Sequence, residues 1–142
     1  MKKASWIVLT VAGVAVTLLS LVSAGHAYNK GDNYRIGGTR LSEVAAGREA
    51  AATALRGIRG TSAAFAAAYG VLFLAIVLGP YRRGDVWAWW ALFAGSMTVL
   101  AIVLLRVPFL ATTLGNSAAV IQFTLTMVGL VLDVRRLKSP AQ

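Results

Sequence analysis

Few residues in this chain of 142 could carry out acid–base or nucleophilic chemistry, because it contains five acidic residues, one histidine and no cysteine. The lack of cysteine excludes disulfides, thiolate metal sites and thiol redox centres, and one histidine excludes multi-histidine metal sites and bis-histidine haem ligation. His26 has no nucleophile beside it, and the sequence contains no HExxH, Walker-type or GxSxG motif. Glu43 and Glu49 would point about 120° apart on a helix, so they do not predict a catalytic pair. We therefore predict a non-catalytic protein without a cofactor or metal, the weaker alternative being a lipid-modifying enzyme that uses Glu43, Glu49 or Asp133.

The composition indicates a membrane protein. Hydrophobic residues make up 58% of the chain and charged residues 13%, with a mean hydropathy of +0.70, whereas soluble domains average about 45–50% and about 25%. Disorder requires the opposite balance of low hydrophobicity and high charge. The net charge of +9 favours attraction to anionic lipid headgroups over nucleic-acid binding, because the chain offers no soluble basic face.

The apolar residues form four stretches of membrane-spanning length or nearly so, at about residues 5–24, 61–79, 86–105 and 116–132. About 20 apolar residues in a helix cross the roughly 30 Å hydrocarbon layer. We expect the second stretch to end at Pro80, which cannot continue a helix, and the fourth to begin at Asn116, a good N-cap residue. Backbone groups in lipid must be satisfied within each segment, which predicts helices. The predicted fold is an all-α integral membrane protein, with a four-transmembrane-helix bundle as a single domain over residues 1–142.

The first stretch has a second interpretation. Lys2 and Lys3, the apolar run and the small residues Val22–Ala24 also fit a secretory signal with its cleavage site. We favour an uncleaved span because the apolar run exceeds the roughly 7–15 residues of a signal core. Detection of Met1 or Lys2 in the mature protein would decide between the two.

The polar segment of about residues 25–60 is predicted to lie outside the cytoplasm. Its first part, YNKGDNYRIGG, is rich in turn-forming residues and is predicted to be a loop. From Ser42 to about Arg59 we predict an alanine-rich amphipathic helix that runs into the second span, bent at Gly57 or Gly60. Its apolar face comprises Leu41, Val44, Ala51, Leu55 and Ile58.

The distribution of lysine and arginine near span ends indicates the orientation. With the N-terminus inside, seven basic residues lie on each side, but those on the cytoplasmic side are crowded into short segments next to the membrane. Trp6 and the cluster of Trp87, Trp89 and Trp90 then fall on the same membrane face, as interfacial tryptophans do. We predict a multi-pass protein of the cytoplasmic (inner) membrane with both termini cytoplasmic. Arg56 and Arg59, close to the second span on the opposite side, are evidence against this orientation. The cytoplasmic basic residues are Lys2, Lys3, Arg82, Arg83, Arg135, Arg136 and Lys138.

Small and hydroxyl-bearing residues recur at three-and-four spacing in each span, as in membrane helices that pack closely. We expect these stripes to face one another in the bundle, where Thr17, Thr98, Gln122 and Thr126 would make polar contacts. Gln122 is predicted to form an interhelical hydrogen bond, although a ligand contact is the alternative. The same stripes could instead line a cavity for a lipid, quinone or other amphiphile. The stripes are Thr10, Gly13, Thr17, Ser20 and Ala24; Ala63, Ala66, Ala67 and Gly70; Ala91, Gly95 and Thr98; and Gln122, Thr126, Gly129 and Asp133.

Arg82, Arg83, Trp87 and Trp90 are candidate contacts for lipid headgroups or a partner, although a topology signal with an aromatic anchor explains them more simply. They belong to the segment GPYRRGDVWAWW, residues 79–90. This segment is similar to the cytoplasmic turn of small four-span bacterial membrane proteins, a resemblance that implies the fold and carries no activity. Small multidrug transporters have a glutamate in their first span, and four-helix disulfide-forming enzymes and vitamin K reductase relatives have cysteines; this chain has neither.

These observations favour an accessory, assembly or scaffolding subunit of a membrane complex. Its expected partners are anionic membrane lipids and either another membrane protein or a second copy of the chain. The alternative is a binder or carrier of a small apolar molecule or lipid within the helix bundle.

Overall fold

The computed structural model describes residues 2–31, 33–111 and 115–134, except for the side chains of residues 2 and 3. Over these residues the chain is mostly helical. Its elements in chain order are α1 (Lys2–Tyr28), β1 (Arg35–Ile36), β2 (Thr39–Arg40), α2 (Leu41–Val44), α3 (Glu49–Ile76), a π-helical turn (Val77–Tyr81), α4 (Val86–Leu104), α5 (Arg106–Leu110) and α6 (Asn116–Val131). The chain divides into two compact units, the first being Met1–Ala15 with Val71–Gln142 and the second Val16–Gly70.

Three helical stretches within the described residues are long and apolar enough to cross a membrane: Ala4–Tyr28, Glu49–Tyr81 and Val86–Leu110. Their outward side chains include Leu19, Phe65 and Ile102, each at least 60% exposed. Large apolar side chains exposed along whole helices suit contact with lipid. α6 is also apolar, but its 16 residues rise only about 24 Å. Over residues 2–31, 33–111 and 115–134, the structure therefore gives three helices of membrane length and one shorter apolar helix.

The second span does not end at Pro80, and that prediction is wrong. The chain remains helical through the π-helical turn Val77–Tyr81, which contains Pro80. A π turn replaces the i→i−4 bonds by i→i−5 bonds, and this accommodates a proline that lacks an N–H group. The helix ends at Gly84, whose φ of 110° takes the backbone out of the helix while the Gly84 and Asp85 N–H groups donate to the Pro80 carbonyl.

The predicted loop after α1 contains a short β-hairpin in the second unit. Arg35 pairs with Arg40 and Ile36 with Thr39 in antiparallel register. The two residues between the strands, Gly37 and Gly38, have φ angles of 60° and 92°, which fit the tight turns that match the twist of a hairpin.

The predicted continuous helix from Ser42 to about Arg59 is interrupted. α2 ends at Val44 and α3 begins at Glu49, because Ala46 and Gly47 have φ angles of 50° and 72°. A left-handed pair cannot continue a right-handed helix. From Glu49 onward the predicted helix is present, since α3 runs from Glu49 through Gly57 and Gly60 to Ile76; the bend at Gly57 or Gly60 stays a prediction.

The second unit is held together by close approach of α1 and α3 and by a small buried cluster. A Cβ added at Gly70 in α3 would overlap Thr17 Oγ1 in α1, so the two helices are in backbone contact there. Leu41 and Tyr34 are buried, and the Leu41 N–H donates to the Tyr34 carbonyl at 2.9 Å. This bond fastens the start of α2 to the residue just before the hairpin.

The first unit packs α4 against α6 and encloses the beginning of α1 and the end of α3. Two glycines permit close approach: a Cβ at Gly13 would lie 2.8 Å from Leu74 Cδ2, and one at Gly129 would lie 2.6 Å from Leu9 Cγ. The large buried side chains of this unit lie on all four helices. They are Leu9, Phe73, Val77, Tyr81, Trp89, Leu92 and Leu130.

Asn116 is not the N-cap of α6, contrary to the prediction. Gly115, with a φ of 81°, occupies that position, and no side chain caps the helix end. The Asn116 Oδ1 atom is instead buried, with no hydrogen bond to the described residues.

Candidate functional site

The first unit contains a buried hydrogen-bonded cluster that joins helix ends far apart in sequence. Ser5 in the first turns of α1 lies 2.5 Å, Oγ to Oη, from Tyr81 at the end of the π turn. The Ser5 hydroxyl donates to the Gly129 carbonyl of α6 at 2.7 Å. A serine hydroxyl has one proton, so Tyr81 is the donor in the bond to Ser5. Three helices are thereby connected through one side chain.

α4 adds a further bond to the same end of α6. The buried Trp89 indole N–H donates to the Leu130 carbonyl at 3.1 Å. The last four carbonyls of a helix have no partner within it, and Ser5 and Trp89 supply donors to two carbonyls near this end. Asp133, two residues after the end of α6, is only 4% exposed. We name Ser5, Tyr81, Trp89 and the Gly129 and Leu130 carbonyls the helix-end cluster. The Ser5 hydroxyl and the Trp89 indole N–H donate to backbone carbonyls of α6.

The predicted headgroup contacts lie on an exposed surface of the first unit. Arg82 and Arg83 are exposed, and Trp87 and Trp90 are 58% and 53% exposed. The aromatic partner of Arg82 is Trp6, whose ring centroid is 5.0 Å from the guanidinium carbon, a cation–π arrangement. We name these five residues the basic–aromatic surface.

Two further contacts order this surface. Arg83 lies 3.9 Å from the Asp85 carboxylate, with both side chains well exposed, and such pairs contribute little to stability. Trp90 packs edge-on against Trp89, with ring centroids 4.9 Å apart. An amphipathic ring held at a fixed position beside exposed cationic groups can contact an anionic headgroup or an acidic segment of a partner.

Two of the predicted interior hydroxyls bond to their own helices. Thr126 is fully buried and donates to the Gln122 carbonyl at 2.9 Å. Thr98, which we expected inside the bundle, is exposed on α4 and donates to the Ala94 carbonyl at 2.8 Å. Back-bonding of this kind satisfies a threonine without a second helix.

The other two predicted interior residues differ from each other. Thr17 lies in the second unit, where its backbone and hydroxyl face Gly70 at the close approach of α1 and α3. The Gln122 Nε2 atom is buried and makes no hydrogen bond with the described residues. The predicted interhelical bond of Gln122 is thus absent from that part of the chain.

In the second unit, two arginines of α3 fasten the segment that follows α1. The Arg59 guanidinium carbon lies 4.0 Å from the Tyr34 ring centroid, and its Nε donates to Ser23 Oγ at 3.1 Å. Arg56 donates to the Asn29 carbonyl and, at 3.0 Å, to the Lys30 carbonyl. Both arginines near the start of the second span therefore make structural contacts with the end of α1 and the segment after it. Tyr34 is 8% exposed, and its hydroxyl has no hydrogen-bond partner among the described residues.

The acids considered for catalysis belong to different units of the chain. Glu43 and Glu49 are exposed in the second unit, whereas Asp133 is buried in the first. Within residues 2–31, 33–111 and 115–134, no group of three or more histidine, aspartate or glutamate side chains is placed to hold a metal ion. Arg135, Arg136 and Lys138, predicted to lie on the cytoplasmic side, are outside the described residues.

Sequence reasoning did not find the helix-end cluster. Ser5 and Tyr81 are 76 positions apart, and no short motif links them. The available signal was their position, since each is a hydroxyl-bearing residue at the end of an apolar stretch.

No protein-family model, curated protein or solved structure matches this chain.

Proposed function

We propose that this chain is a four-span, non-catalytic membrane protein that serves as an accessory, assembly or scaffolding subunit of a membrane complex. Three helices of membrane length support three of the spans, and α6 is the proposed fourth. At about 24 Å, α6 is shorter than the roughly 30 Å hydrocarbon layer; local thinning of the bilayer accommodates such a span at modest cost. One face of α6 is buried at Thr126 and Leu130, while Val120 and Ile121 are exposed toward the proposed lipid.

The observation that carries the subunit proposal is the outer face of α4. Gly13, Gly70 and Gly129 are already used in close packing within their own units. On α4, by contrast, Ala94, Thr98 and Ala101 are exposed at i, i+4 and i+7. Small residues at this spacing let a second membrane helix approach closely.

Photocrosslinking tests this face, because the chain has no cysteine and one can be placed at will. Ala94→Cys, labelled with benzophenone maleimide in native membranes, is expected to capture a partner protein or a second copy. The matched control is Ala118→Cys, at an exposed alanine of α6, which is expected to capture lipid only. A lone monomer that crosslinks to no protein from Ala94 would overturn the proposal.

A bulky substitution gives an independent readout. Ala94→Ile is expected to abolish co-purification of the captured partner in mild detergent, because the added side chain prevents close helix approach. Ala118→Ile should leave co-purification unchanged. Equal recovery of the partner from both variants would show that this face of α4 is not the docking surface.

We further propose that the protein lies in the cytoplasmic membrane with both termini inside and the basic–aromatic surface against anionic headgroups. The support is the clustering of exposed cations and exposed tryptophans next to the ends of apolar helices. In cells with an intact inner membrane, a membrane-impermeant maleimide should label Thr39→Cys in the hairpin and should not label Asp85→Cys. The reverse pattern would overturn this orientation.

The buried Gln122 Nε2 favours a second candidate, a binder of a small apolar molecule or lipid inside the bundle. A donor left without a partner among the described residues is costly in an apolar surrounding, and an acceptor on a ligand would satisfy it. Gln122→Leu is expected to abolish binding of a co-purifying ligand while the fold is retained. Unchanged ligand content in Gln122→Leu would eliminate this candidate.

A further inference from the structure

The second unit contains a groove of about 400 Å³ where α1 ends and α3 begins. This volume lies within the roughly 300–1,000 Å³ of small-molecule sites. From α3 the groove is lined at Glu49, Thr53, Arg56 and Gly57, which follow one another at helical spacing along one face. Tyr28 and Lys30, at and just after the end of α1, also line it.

The groove carries two opposite charges that do not neutralise each other. Lys30 and Glu49 both line it and are both exposed, and no ion pair joins these two described residues. Arg56 also lines the groove, but its guanidinium donates to the Asn29 and Lys30 carbonyls beyond the end of α1. The ammonium of Lys30 and the carboxylate of Glu49 therefore remain for a ligand that carries an anionic and a cationic group.

The lining and the position of the groove indicate what kind of ligand carries those groups. The lining includes the small residues Ala27, Ala52 and Gly57, which leave room for an apolar portion of a ligand. The apolar stretch of α1 ends at Tyr28, and tyrosine is enriched at the membrane interface. On the proposed membrane placement, the groove therefore lies at the depth of lipid headgroups.

We propose that this groove binds the headgroup of an amine-bearing phospholipid, with the phosphate against Lys30 and Thr53 and the primary ammonium against Glu49. The chemistry recognised is a phosphodiester joined to a primary ammonium, that is, a phosphoethanolamine group. The ammonium donates charge-assisted hydrogen bonds to the Glu49 carboxylate, and the phosphate accepts them from the Lys30 ammonium. This inference rests on the proposed membrane placement and is independent of the docking face of α4.

Native mass spectrometry of the full-length protein in detergent tests the proposal with three phospholipids that have the same acyl chains. Phosphatidylethanolamine is expected to bind about tenfold more tightly than phosphatidylcholine, because a quaternary ammonium has no N–H to donate to Glu49. Phosphatidylglycerol, which has no cationic group, should bind no better than phosphatidylcholine.

Two charge variants separate the contacts, each with a matched control elsewhere in the second unit. Glu49→Gln is expected to reduce phosphatidylethanolamine binding to the level of phosphatidylcholine without changing the latter, an effect that misfolding would not produce. Lys30→Gln should weaken both lipids about tenfold. Glu43→Gln and Arg48→Gln change the same charges at exposed residues outside the groove and should leave all affinities within about twofold, less than the loss of one hydrogen bond to a charged group.

The possible results have distinct consequences. Equal affinity for phosphatidylethanolamine and phosphatidylcholine, or selectivity that survives Glu49→Gln, would overturn the proposal. Glycerophosphoethanolamine, a water-soluble form of the headgroup, should compete only weakly. Competition as strong as that of the lipid would reject the lipid as the source of the group. Because the Ala94 crosslink does not involve this groove, loss of the lipid preference with an intact crosslink would leave the subunit proposal standing.

Discussion

Adding one methyl group at Gly70 should lower the stability of the protein, because α3 contacts the backbone of α1 there. A Cβ there would overlap Thr17 Oγ1 and lie 3.1 Å from the Thr17 backbone nitrogen and 3.3 Å from its Cα. The hydroxyl can rotate away but the backbone cannot, so α1 and α3 would have to separate. Overpacking of this kind costs about 1–3 kcal/mol, and alanine recovers about 0.5–1 kcal/mol of helix propensity. We expect Gly70→Ala to lower the free energy of unfolding by ~1–2 kcal/mol, about a 5- to 30-fold shift in the folding equilibrium.

Reversible unfolding in mixed detergent micelles, followed by helical circular dichroism, would measure this loss. Gly25→Ala is the matched control, because it makes the same chemical change in α1 and the added Cβ meets no atom within 4 Å. It should be neutral or stabilise the protein by up to about 1 kcal/mol. The comparison removes the helix-propensity contribution and leaves the cost of the close approach.

The double variant Thr17→Ala, Gly70→Ala tests which atoms are responsible. Removal of Oγ1 eliminates the overlap with the side chain but leaves both backbone contacts, so part of the loss should be restored and part should remain. If Gly70→Ala were as stable as Gly25→Ala, the backbone contact between α1 and α3 would not be present in the folded protein.

Three further predictions concern other contacts. Tyr81→Phe removes the donor to Ser5 and should lower the free energy of unfolding by about 0.6–1.7 kcal/mol, from the average to the maximum measured for hydrogen bonds between membrane helices. Ala46→Gly should raise the free energy of unfolding by about 1 kcal/mol and slow proteolysis of the segment between α2 and α3, because Ala46 has a φ of 50° that glycine adopts without strain. Arg82→Gln should expose the Trp6 ring and lower the free energy of unfolding by about 0.5–1 kcal/mol, with increased quenching of indole fluorescence by acrylamide.

Each of these predictions has a control within the chain. Phe65→Leu changes an exposed aromatic residue of α3 and should not reproduce the effect of Tyr81→Phe. Ala45→Gly, at a helical φ of −75°, should destabilise where Ala46→Gly stabilises. Arg83→Gln removes the same charge from an exposed neighbour that pairs with Asp85, and an equal quenching change there would refute the role assigned to Arg82.

The apolar helices could be predicted from sequence because the signal is long and local. Stretches of about 20 apolar residues give the same helix whatever they pack against, and three of the four predicted stretches appear as helices of membrane length. The end of the second span could not be predicted from Pro80 alone. A proline can end a helix or lie within a wider helical turn. The outcome depends on the hydrogen bonds of the neighbouring backbone, which cannot be read from the composition.

The errors in the segment between the first two spans have a similar cause. Alanine-rich composition favours a continuous helix after Ser42. The left-handed backbone of Ala46 and Gly47 interrupts that helix despite the composition. The hairpin depends on two glycines with positive φ and on strands of two residues each. Strands this short show no alternation of polar and apolar residues that could be recognised in the sequence. The exposed basic and aromatic residues were identified in advance because charge and aromaticity are visible in the sequence. The partner of Arg82, Trp6, lies 76 positions away and was not.

The π turn also determines where Tyr81 points. In a regular α-helix, residues four apart drift by about 40° around the axis, so the line through Phe73 and Val77 would continue away from the first unit's interior at residue 81. A wider turn rotates the chain less per residue and cancels that drift, and Phe73, Val77 and Tyr81 are all buried. The wider turn thus keeps the phase of the helix despite one extra residue. Deleting one residue between Val77 and Pro80 would return the segment to α-helical pitch, and because three α-helical steps cover about 300°, nearly a full turn, the phenol should still face the serine it reaches.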